Sequence, residues 1–473
     1  MSSNSVSTQK NKLLAVAVVG MIALSAIAIY VVVNDDDEPT MEELLMDALV
    51  FTYPMVLVEK TIDTQTNTVL PNYDDGKAPI NQFVHTRHLS NADLKDFTMP
   101  NVDTIYSFLN FDVSEEPYVL TIPEPDRFFN TQILNAWIDV IAVYGNAGDD
   151  CTKIVICSRD SDIEFPDDVI VVRSDTDRGI VASRIFIQNE DDMKNVINIQ
   201  NDMGFIPWSY YVSGEKYVAP NGDFNEHNEF IPHSEVRKMG LQEYFDFANE
   251  RMSANHPYDV DADMLNRLAK INVGPGLNFD TSVLGEHPGV MWQKVMGNLY
   301  DHILDVSAKF TRTDAVWQYH WDPISNFGTE YEYRAFVAYT GYVANPTSVA
   351  LYITTKVDSQ NDPLSGSKTY VVRFEKDQFP PNMSDGFWSL TVYDSNYFLI
   401  DNEIDRYSVN DRMKFIERKD GSVDIILSDY RPDDTTNWLP ISGEGLLLTI
   451  RIYVPDLDRI DGDWKCPMIL PID

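Results

Sequence analysis

The residues best suited to chemistry are polar and aromatic side chains beside predicted strands. Asn101, Asp103 and Tyr106 follow Pro100, where a strand is expected to begin. Trp137 lies in a strand-like run from Gln132 to Val143, and Asp139, two residues later, is expected on the same face. Similar residues recur near predicted strand ends in the C-terminal half: Trp388, Arg406, Asn437 and Trp438. This composition favours a site that stacks against and hydrogen-bonds a small polar ligand or a glycan.

Three other interpretations use the same residues or the same fold. Asp103 could be the acid or base of a hydrolase or lyase, with its pKa tuned by burial near Tyr106 and by a cation such as Arg334. Alternatively, Asn101 and Asp103 cap a turn while the aromatic residues fill the core. A capping Asp103 would accept backbone N–H groups, whereas a catalytic Asp103 would lie in a pocket beside a second polar group. The third interpretation is a structural protein that assembles into a homo-oligomer.

Several classes of function are disfavoured by the sequence. The chain has no G-x-S-x-G elbow, no glycine-rich phosphate loop and no H-E-x-x-H motif. His85 and His88 have a spacing that points them to opposite faces of a strand, and the acidic residues after Asp456 fail the EF-hand pattern. We therefore expect no metal and no cofactor. The formal net charge of -38 repels phosphate backbones, which argues against nucleic-acid binding.

An apolar run near the N-terminus predicts a membrane anchor. Residues 13–33 are apolar or small, and ~21 helical residues span about 32 Å, enough to cross a bilayer core. Lys10 and Lys12 precede the run and four acidic residues follow Asn34, so residues 1–12 are expected in the cytoplasm and the globular part on the exoplasmic side. Residues 34–40 are then an acidic linker. The alternative is a cleaved signal peptide.

The rest of the chain predicts a mainly β protein: two jelly-roll-like β-sandwich domains joined by a helical segment and preceded by the transmembrane helix. The expected boundaries are 41–230 for the N-terminal β domain, 231–310 for the helical segment and 311–473 for the C-terminal β domain. Met41 to Tyr53 is expected to form a short helix that Pro54 ends. In the last third, the run from Tyr333 to Tyr342 is interpreted as the first of several strands.

The sequon Asn382-Met383-Ser384 offers a glycosylation candidate at Asn382, in an expected loop after Pro380 and Pro381. On an exoplasmic domain in a eukaryotic secretory host, this site would carry one glycan. It is therefore a reporter of the predicted topology.

Several segments resemble a pair of domains of unknown function, DUF1254 and DUF1214. The N-terminal likeness rests on Asn81 to His85, Asn101 to Ser107, Gln132 to Trp137 and Val172 to Ser174, and Asp263 to Gly276 resembles the helical segment of that family. The C-terminal likeness rests on these motifs: Phe387-Trp388-Ser389-Leu390-Thr391, Arg406-Tyr407-Ser408, Asp420-Gly421-Ser422, Asn437-Trp438-Leu439-Pro440 and Arg451-Ile452-Tyr453-Val454-Pro455.

This resemblance covers the chain from about Met41 onward and implies two jelly-roll-like domains joined by helices, often oligomeric, without an established activity. Asn135 stands where relatives commonly carry Asp, and Tyr144 to Asp150 replaces a stretch that usually contains Arg and Thr. If those family residues are catalytic, this copy has a lost or altered activity.

Overall fold

The computed structural model describes residues 38–94, 99–146, 148, 152–167, 169–321 and 323–472. The chain divides into two units, Met1–Leu44 and Leu45–Asp473. In the first unit, Thr40 and Glu43 cap the start of a helix, since the Glu43 N–H donates to Thr40 Oγ1 at 3.2 Å and the Thr40 N–H donates to Glu43 Oε2 at 2.8 Å. The strands described next all lie within the second unit.

The strands of the N-terminal half are β1 (Phe83–His85), β2 (Thr104–Asp112), β3 (Tyr118–Thr121), β4 (Phe129–Asn135), β5 (Val140–Gly145), β6 (Lys153–Ser158), β7 (Ile170–Ser174), β8 (Arg178–Phe186) and β9 (Gly204–Pro207). Those of the C-terminal half are β10 (Thr311–Asp314), β11 (Trp317–His320), β12 (Ala350–Thr355), β13 (Thr369–Phe374), β14 (Asn382–Tyr393), β15 (Ser408–Asn410), β16 (Val423–Ser428), β17 (Trp438–Pro440), β18 (Leu447–Pro455) and β19 (Met468–Ile472). The α-helices are α1 (Met41–Gln65), α2 (Met193–Asn201), α3 (Trp208–Ser213), α4 (Pro232–Lys238), α5 (Leu241–Met252), α6 (Ala262–Leu268), α7 (Pro288–Ser307), α8 (Tyr331–Gly341) and α9 (Leu457–Asp461).

The N-terminal strands form a two-sheet sandwich. A larger sheet of order β1-β2-β8-β4-β5 packs on a smaller sheet of order β7-β6-β3-β9. Alternate residues of β2 and β8, such as Ile105, Leu109 and Val181, enter the core between the sheets. Their neighbours Tyr106 and Arg184 therefore lie on the outer face of the larger sheet.

The C-terminal strands form a second sandwich. Its larger sheet has the order β10-β11-β12-β18-β14-β15 and its smaller sheet has the order β17-β16-β13-β19. Leu351, Leu390 and Ile450 point into the core. Tyr352 and Arg451, one residue further along their strands, lie on the outer face.

The two sandwiches have the same topology. When ten is added to each strand number of the N-terminal half, β1-β2-β8-β4-β5 becomes β11-β12-β18-β14-β15, and β7-β6-β3-β9 becomes β17-β16-β13-β19. Both observed orders are thus reproduced, with β10 as an extra edge strand. Even the parallel pairs β6–β7 and β16–β17 correspond. The second half therefore repeats the fold of the first.

Equivalent surfaces of the two repeats contact each other. Phe128, just before β4, and Phe186, at the end of β8, pack against Phe387 and Tyr453 of β14 and β18, with ring centroids 4.9–5.4 Å apart. Gly386 lets β14 approach β18 at a bulge, because a Cβ there would lie 2.1 Å from the Tyr453 carbonyl oxygen. Contact between like surfaces is the arrangement of an isologous dimer, here within one chain.

Two local predictions are wrong. Pro54 does not end the first helix, since α1 continues to Gln65 with Pro54 inside it. This helix is buried along most of its length, and such packing outweighs one lost backbone hydrogen bond. The predicted strand from Tyr333 to Tyr342 is the helix α8, in which Tyr333 to Ala338 are all buried. Burial on every side removes the helical periodicity from the sequence.

The predicted fold is correct in being mainly β with several sheets, but its transmembrane helix requires correction. In the residues that the structure describes, no helix combines the length and the apolarity that crossing a membrane requires. The first helix described, α1, contains charged residues, among them Glu42, Glu43, Asp47 and Glu59. The predicted span, residues 13–33, lies outside the described residues.

Candidate functional site

The outer faces of the two larger sheets bring a polar set together, which we call the inter-sheet site. It consists of Asn101, Asp103, Tyr106, Arg184, Asn345, Tyr352, Tyr393, Arg412, Arg451 and Tyr453. Three of its members, Asn101, Asp103 and Tyr106, belong to the set predicted from the sequence. The others come from β8, β12, β14, β18 and the loops after α8 and β15.

The structure separates the roles of Asn101 and Asp103. Asn101 Oδ1 accepts the backbone N–H groups of Asp103 at 2.7 Å and Thr104 at 3.3 Å, so Asn101 caps the turn into β2. Asp103 is fully buried and caps nothing. Its Oδ1 accepts a hydrogen bond from Arg412 Nη2 at 2.6 Å, and its Oδ2 has no hydrogen-bond partner among the described residues. Asp103 therefore does not cap the turn, and its second polar group is Arg412.

Arg184 and Arg451 occupy equivalent positions in the two repeats. Arg184 is the register partner of Tyr106 on β2 and of Asn130 on β4. Arg451 is likewise the partner of Tyr352 on β12 and of Ser389 on β14. Each guanidinium lies over the tyrosine of its own row, 5.5 Å from the Tyr106 ring and 5.8 Å from the Tyr352 ring.

Asn345 and the tyrosine hydroxyls connect the two rows. Arg184 Nη1 donates to Asn345 Oδ1 at 2.9 Å, and Asn345 Nδ2 donates to the Tyr352 hydroxyl at 2.9 Å. Asn101 Nδ2 donates to the Tyr453 hydroxyl at 2.5 Å. The side-chain amides of Asn101 and Asn345 thus connect the two repeats.

Tyr352, Tyr393 and Tyr453 stay neutral at physiological pH. Burial is the largest cause that raises the pKa of Tyr352, Tyr393 and Tyr453 above the ordinary value of 10.0. The nearby arginines oppose this shift without cancelling it. The phenols consequently act as uncharged donors and acceptors.

Aromatic rings beside the site remain accessible to solvent. Tyr106, Phe186 and Tyr352 are half-buried, although they project from otherwise buried strands. Around them lie buried polar atoms without a hydrogen-bond partner among the described residues: Asp103 Oδ2, Thr104 Oγ1, both amide atoms of Asn130, Arg184 Nε, Ser389 Oγ, Arg412 Nη1 and Thr449 Oγ1. Since buried polar groups normally have partners, these atoms indicate a place for a polar ligand or water.

A second group, the Arg334 cluster, consists of Asn135, Asp139, Tyr258, Asp261, Tyr331 and Arg334. Arg334 Nη2 lies 3.4 Å from Asp139 Oδ2 and donates to the Gly328 carbonyl at 2.9 Å. The same Asp139 oxygen accepts a hydrogen bond from the Tyr258 hydroxyl at 2.8 Å. Burial, followed by the negative charge of Asp139, raises the pKa of Tyr258. Arg334 thus pairs with Asp139, and the prediction that it is the cation beside Asp103 is wrong.

Trp137 and Asp139 are not on one strand. Asn135 ends β4, and its Oδ1 accepts the N–H groups of Trp137 and Asp139 at 2.9 and 3.1 Å, which forms a turn before β5. Ile138 in this turn has φ 62°, a costly conformation for a β-branched residue. Trp137 is fully buried against Phe51, with ring centroids 5.2 Å apart, so it is a core residue.

The other predicted residues serve the C-terminal sandwich. Trp388 packs against Phe374, Phe379 and Phe415, and Trp438 Nε1 donates to the Ser428 carbonyl at 3.1 Å. Arg406 Nη1 donates to the carbonyls of Thr435 and Trp438, and Asn437 Nδ2 donates to those of Ile416 and Asp424. Asn382 is the first residue of β14 and not part of a loop as predicted, and its Nδ2 donates to the Met383 carbonyl at 2.9 Å. These side chains hold loops and core in place.

The sequence contains a signal for the arginines of the site. Arg184-Ile185-Phe186 ends β8, and Arg451-Ile452-Tyr453 lies at the equivalent place in β18. A charged residue inside an apolar strand is unusual, and two such residues in similar tripeptides indicate a repeated function. Arg412 and Asn345 lie in loops and carry no comparable signal.

Comparison with known proteins agrees with this division of the chain. Residues 80–207 match DUF1254 and residues 349–457 match DUF1214, both described as proteins of unknown function. These two ranges contain β1–β9 and β12–β18, so each match falls within one repeat. The resemblance predicted from the sequence motifs is confirmed.

Among solved structures, a Vibrio parahaemolyticus protein is 22% identical with a TM-score of 0.68, and the match covers 92% of this chain and 100% of that chain. It shows the fold alone. An uncharacterised Burkholderia cenocepacia protein is 10% identical with a TM-score of 0.41, covering 89% of this chain and 88% of that chain. No curated protein matches the sequence.

Proposed function

We propose that this chain, which belongs to the family that joins the DUF1254 and DUF1214 domains, binds a small polar ligand between its two sandwiches. The description of these domains states no activity, so the proposal is based on the inter-sheet site. The observation that carries this proposal is the set of buried polar atoms without partners among the described residues, beside half-buried aromatic rings. Sites of this kind use apolar walls for affinity and a few polar groups for orientation.

The site lies where ligand sites commonly occur, at the contact between two domains. Tyr106 and Phe186 come from the first sandwich, and Tyr352 comes from the second. A ligand there would contact both repeats. Its binding would therefore stabilise the contact between them as well as each sandwich.

One observation supports a second candidate, a hydrolase or lyase. Asp103 is buried, and one of its oxygen atoms accepts no hydrogen bond from the described residues, as expected of a general base. Its cationic neighbour is Arg412. This candidate predicts turnover that Asp103→Asn abolishes without loss of ligand binding, because the amide keeps the size of the side chain and removes its basicity.

The proposal is tested by thermal unfolding and calorimetric titration of the full chain with sugars, polyols, amino acids and small organic acids. We expect at least one saturable ligand that raises the unfolding temperature. Tyr106→Ala and Tyr352→Ala should weaken its binding. The matched control is Tyr300→Ala, which removes a partly exposed ring on α7, outside the site. No binding across these classes, or equal effects of the three variants, would contradict the proposal.

A further inference from the structure

The inter-sheet site has two equivalent cations that lack a carboxylate partner among the described residues. Arg184 and Arg451 are each 3% exposed. Arg184 donates to Asn345 Oδ1 at 2.9 Å and to the Val343 carbonyl at 2.8 Å. Arg451 donates to Thr391 Oγ1 at 3.3 Å and to the Met99 carbonyl at 3.1 Å. All of these acceptors are neutral oxygen atoms.

The carboxylates near the site are paired with a third arginine. Asp103 lies 2.6 Å from Arg412, and Asp411 lies 3.7 Å from it. Tyr352, Tyr393 and Tyr453 stay neutral because burial raises their pKa. Three arginines and two carboxylates leave a formal excess of one positive charge, and the two guanidinium groups without a carboxylate partner among the described residues are Arg184 and Arg451, one from each repeat. A buried cation without a counter-ion is costly, which favours binding of an anion.

We propose that the ligand is a small organic dianion, of the dicarboxylate class, with one acidic group bound by Arg184 and the other by Arg451. This inference rests on the proposed ligand-binding function and specifies its chemistry. The number of charges follows from the repeat, because each sandwich contributes one Tyr–Arg pair at the same register. An organic body between the two acidic groups fits the half-buried rings of Tyr106 and Tyr352.

The chemistry of the two arginines favours this class. A guanidinium binds a carboxylate through parallel hydrogen bonds, and burial strengthens such charge-assisted bonds. The chain carries a net charge of -38, so its surface as a whole repels anions. An anion that binds this protein must therefore find a local site, and the inter-sheet site has an excess of positive charge.

The experiment is a calorimetric titration of the full chain with malonate, succinate, glutarate and adipate at pH 7. Acetate and butyrate test single carboxylates, inorganic phosphate tests a compact anion, and succinamide tests a neutral molecule of the same length. We expect one dicarboxylate to bind on the order of 10-fold or more tightly than any monocarboxylate, and succinamide to show no saturable binding.

Four variants assign the binding to the two arginines. Arg184→Met and Arg451→Met should each reduce the affinity for the dicarboxylate to that of a monocarboxylate, because each leaves one acidic group without a partner. Arg184→Lys and Arg451→Lys keep the charge and serve if a Met variant does not fold. They should weaken binding less, since lysine keeps the charge even though it cannot make the two parallel bonds.

Arg406→Met is the matched control, because Arg406 also donates to backbone carbonyls but lies outside the inter-sheet site. It should leave the dicarboxylate affinity unchanged. Binding of a neutral sugar that depends on Tyr106 and not on the arginines would overturn the inference that the ligand is a dianion. The proposed ligand-binding function would then still stand. Equal affinity for mono- and dicarboxylates would also overturn the inference of a dianion. The absence of any ligand would overturn both.

Discussion

Arg334, Arg184 and Arg451 are all buried arginines, but among the described residues only Arg334 has a carboxylate partner. Arg334 is 1% exposed and has Asp139 at 3.4 Å, with Tyr258, Phe327 and Tyr331 rings around its guanidinium at 5.7–6.0 Å. Among the described residues, Arg184 and Arg451 have tyrosine rings and neutral oxygens as their partners. Arg334 thus has a carboxylate partner, although its Nε and Nη1 have no hydrogen-bond partner among the described residues, whereas neither Arg184 nor Arg451 is paired with a carboxylate there.

This difference separates a structural cluster from a binding site. The Arg334 cluster connects the β4–β5 turn, the segment before α6 and the start of α8. The inter-sheet site uses equivalent residues of two repeats and leaves several buried polar atoms without partners in the described part of the chain. Arg334 Nε and Nη1 also lack such a partner, so the distinction between the two regions rests on the carboxylate that pairs with Arg334.

The largest change in the free energy of unfolding is expected when the ion pair between Asp139 and Arg334 is broken. Asp139→Asn should lower the free energy of unfolding by about 3–5 kcal/mol, because it leaves Arg334 buried without its carboxylate. Urea-induced unfolding of the full chain measures this change. Asp160→Asn is the control, since Asp160 is exposed and its ion pair with Arg159 should contribute about 0–1 kcal/mol. A loss below about 1 kcal/mol for Asp139→Asn would mean that the pair is not the basis of the cluster.

Replacing an arginine of the inter-sheet site is expected to lower the free energy of unfolding by a smaller amount. Arg451→Met removes two hydrogen bonds to neutral oxygens and breaks no ion pair, so without ligand it should cost about 1–2 kcal/mol. Arg334→Met, measured in the same way, should cost about 3–5 kcal/mol because Asp139 remains buried without its arginine partner. Equal losses for the two variants would remove the distinction between the two regions.

A carboxylate introduced beside Arg451 should give the inter-sheet site an ion pair within the chain, as in the Arg334 cluster. Thr391→Asp places a carboxylate beside Arg451, which already donates to Thr391 Oγ1 at 3.3 Å. We expect unfolding to require about 1 kcal/mol more and dicarboxylate binding to be lost. Thr391→Asn has the same shape without the charge and should retain binding. If the Asp and Asn variants bind the dicarboxylate equally well, Arg451 does not hold its acidic group.

The smallest effect concerns pH. The raised pKa values of Tyr352, Tyr393 and Tyr453 mean that these phenols are neutral below about pH 10 in both the folded and the unfolded chain, so they add no pH dependence in that range. Above about pH 10 the unfolded phenols ionise first, which favours unfolding. Dicarboxylate affinity should therefore change less than about 2-fold between pH 7 and pH 9, which calorimetric titration at each pH measures. A 10-fold loss across this window would indicate a phenolate that offsets the arginines.

The sequence predicted the mainly β fold and part of the site for identifiable physical reasons. Alternation in strands such as β13 and the residues around Asn101 and Asp103 are local patterns, and the structure brings Asn101, Asp103 and Tyr106 together. The neighbours of Asp103 could not be predicted in this way. Arg412 is 309 residues distant in sequence, and only folding brings it to Asp103.

Other errors came from burial and from the repeat. In α8 the consecutive buried residues hide the helical period, and the turn at Ile138 interrupts a run that looks like one strand. The repeated topology is visible in strand order but leaves only short likenesses in sequence, such as Arg184-Ile185-Phe186 and Arg451-Ile452-Tyr453. A search for paired arginines inside apolar strands would have found both residues.

A crystal structure of the full chain with the dicarboxylate that binds most tightly in the titration would test the paired-arginine site most directly. We predict one acidic group within hydrogen-bonding distance of Arg184 and the other within hydrogen-bonding distance of Arg451, with Arg334 still paired to Asp139. A ligand bound elsewhere, or one that contacts Arg334 and leaves Arg184 and Arg451 as they are, would contradict this prediction.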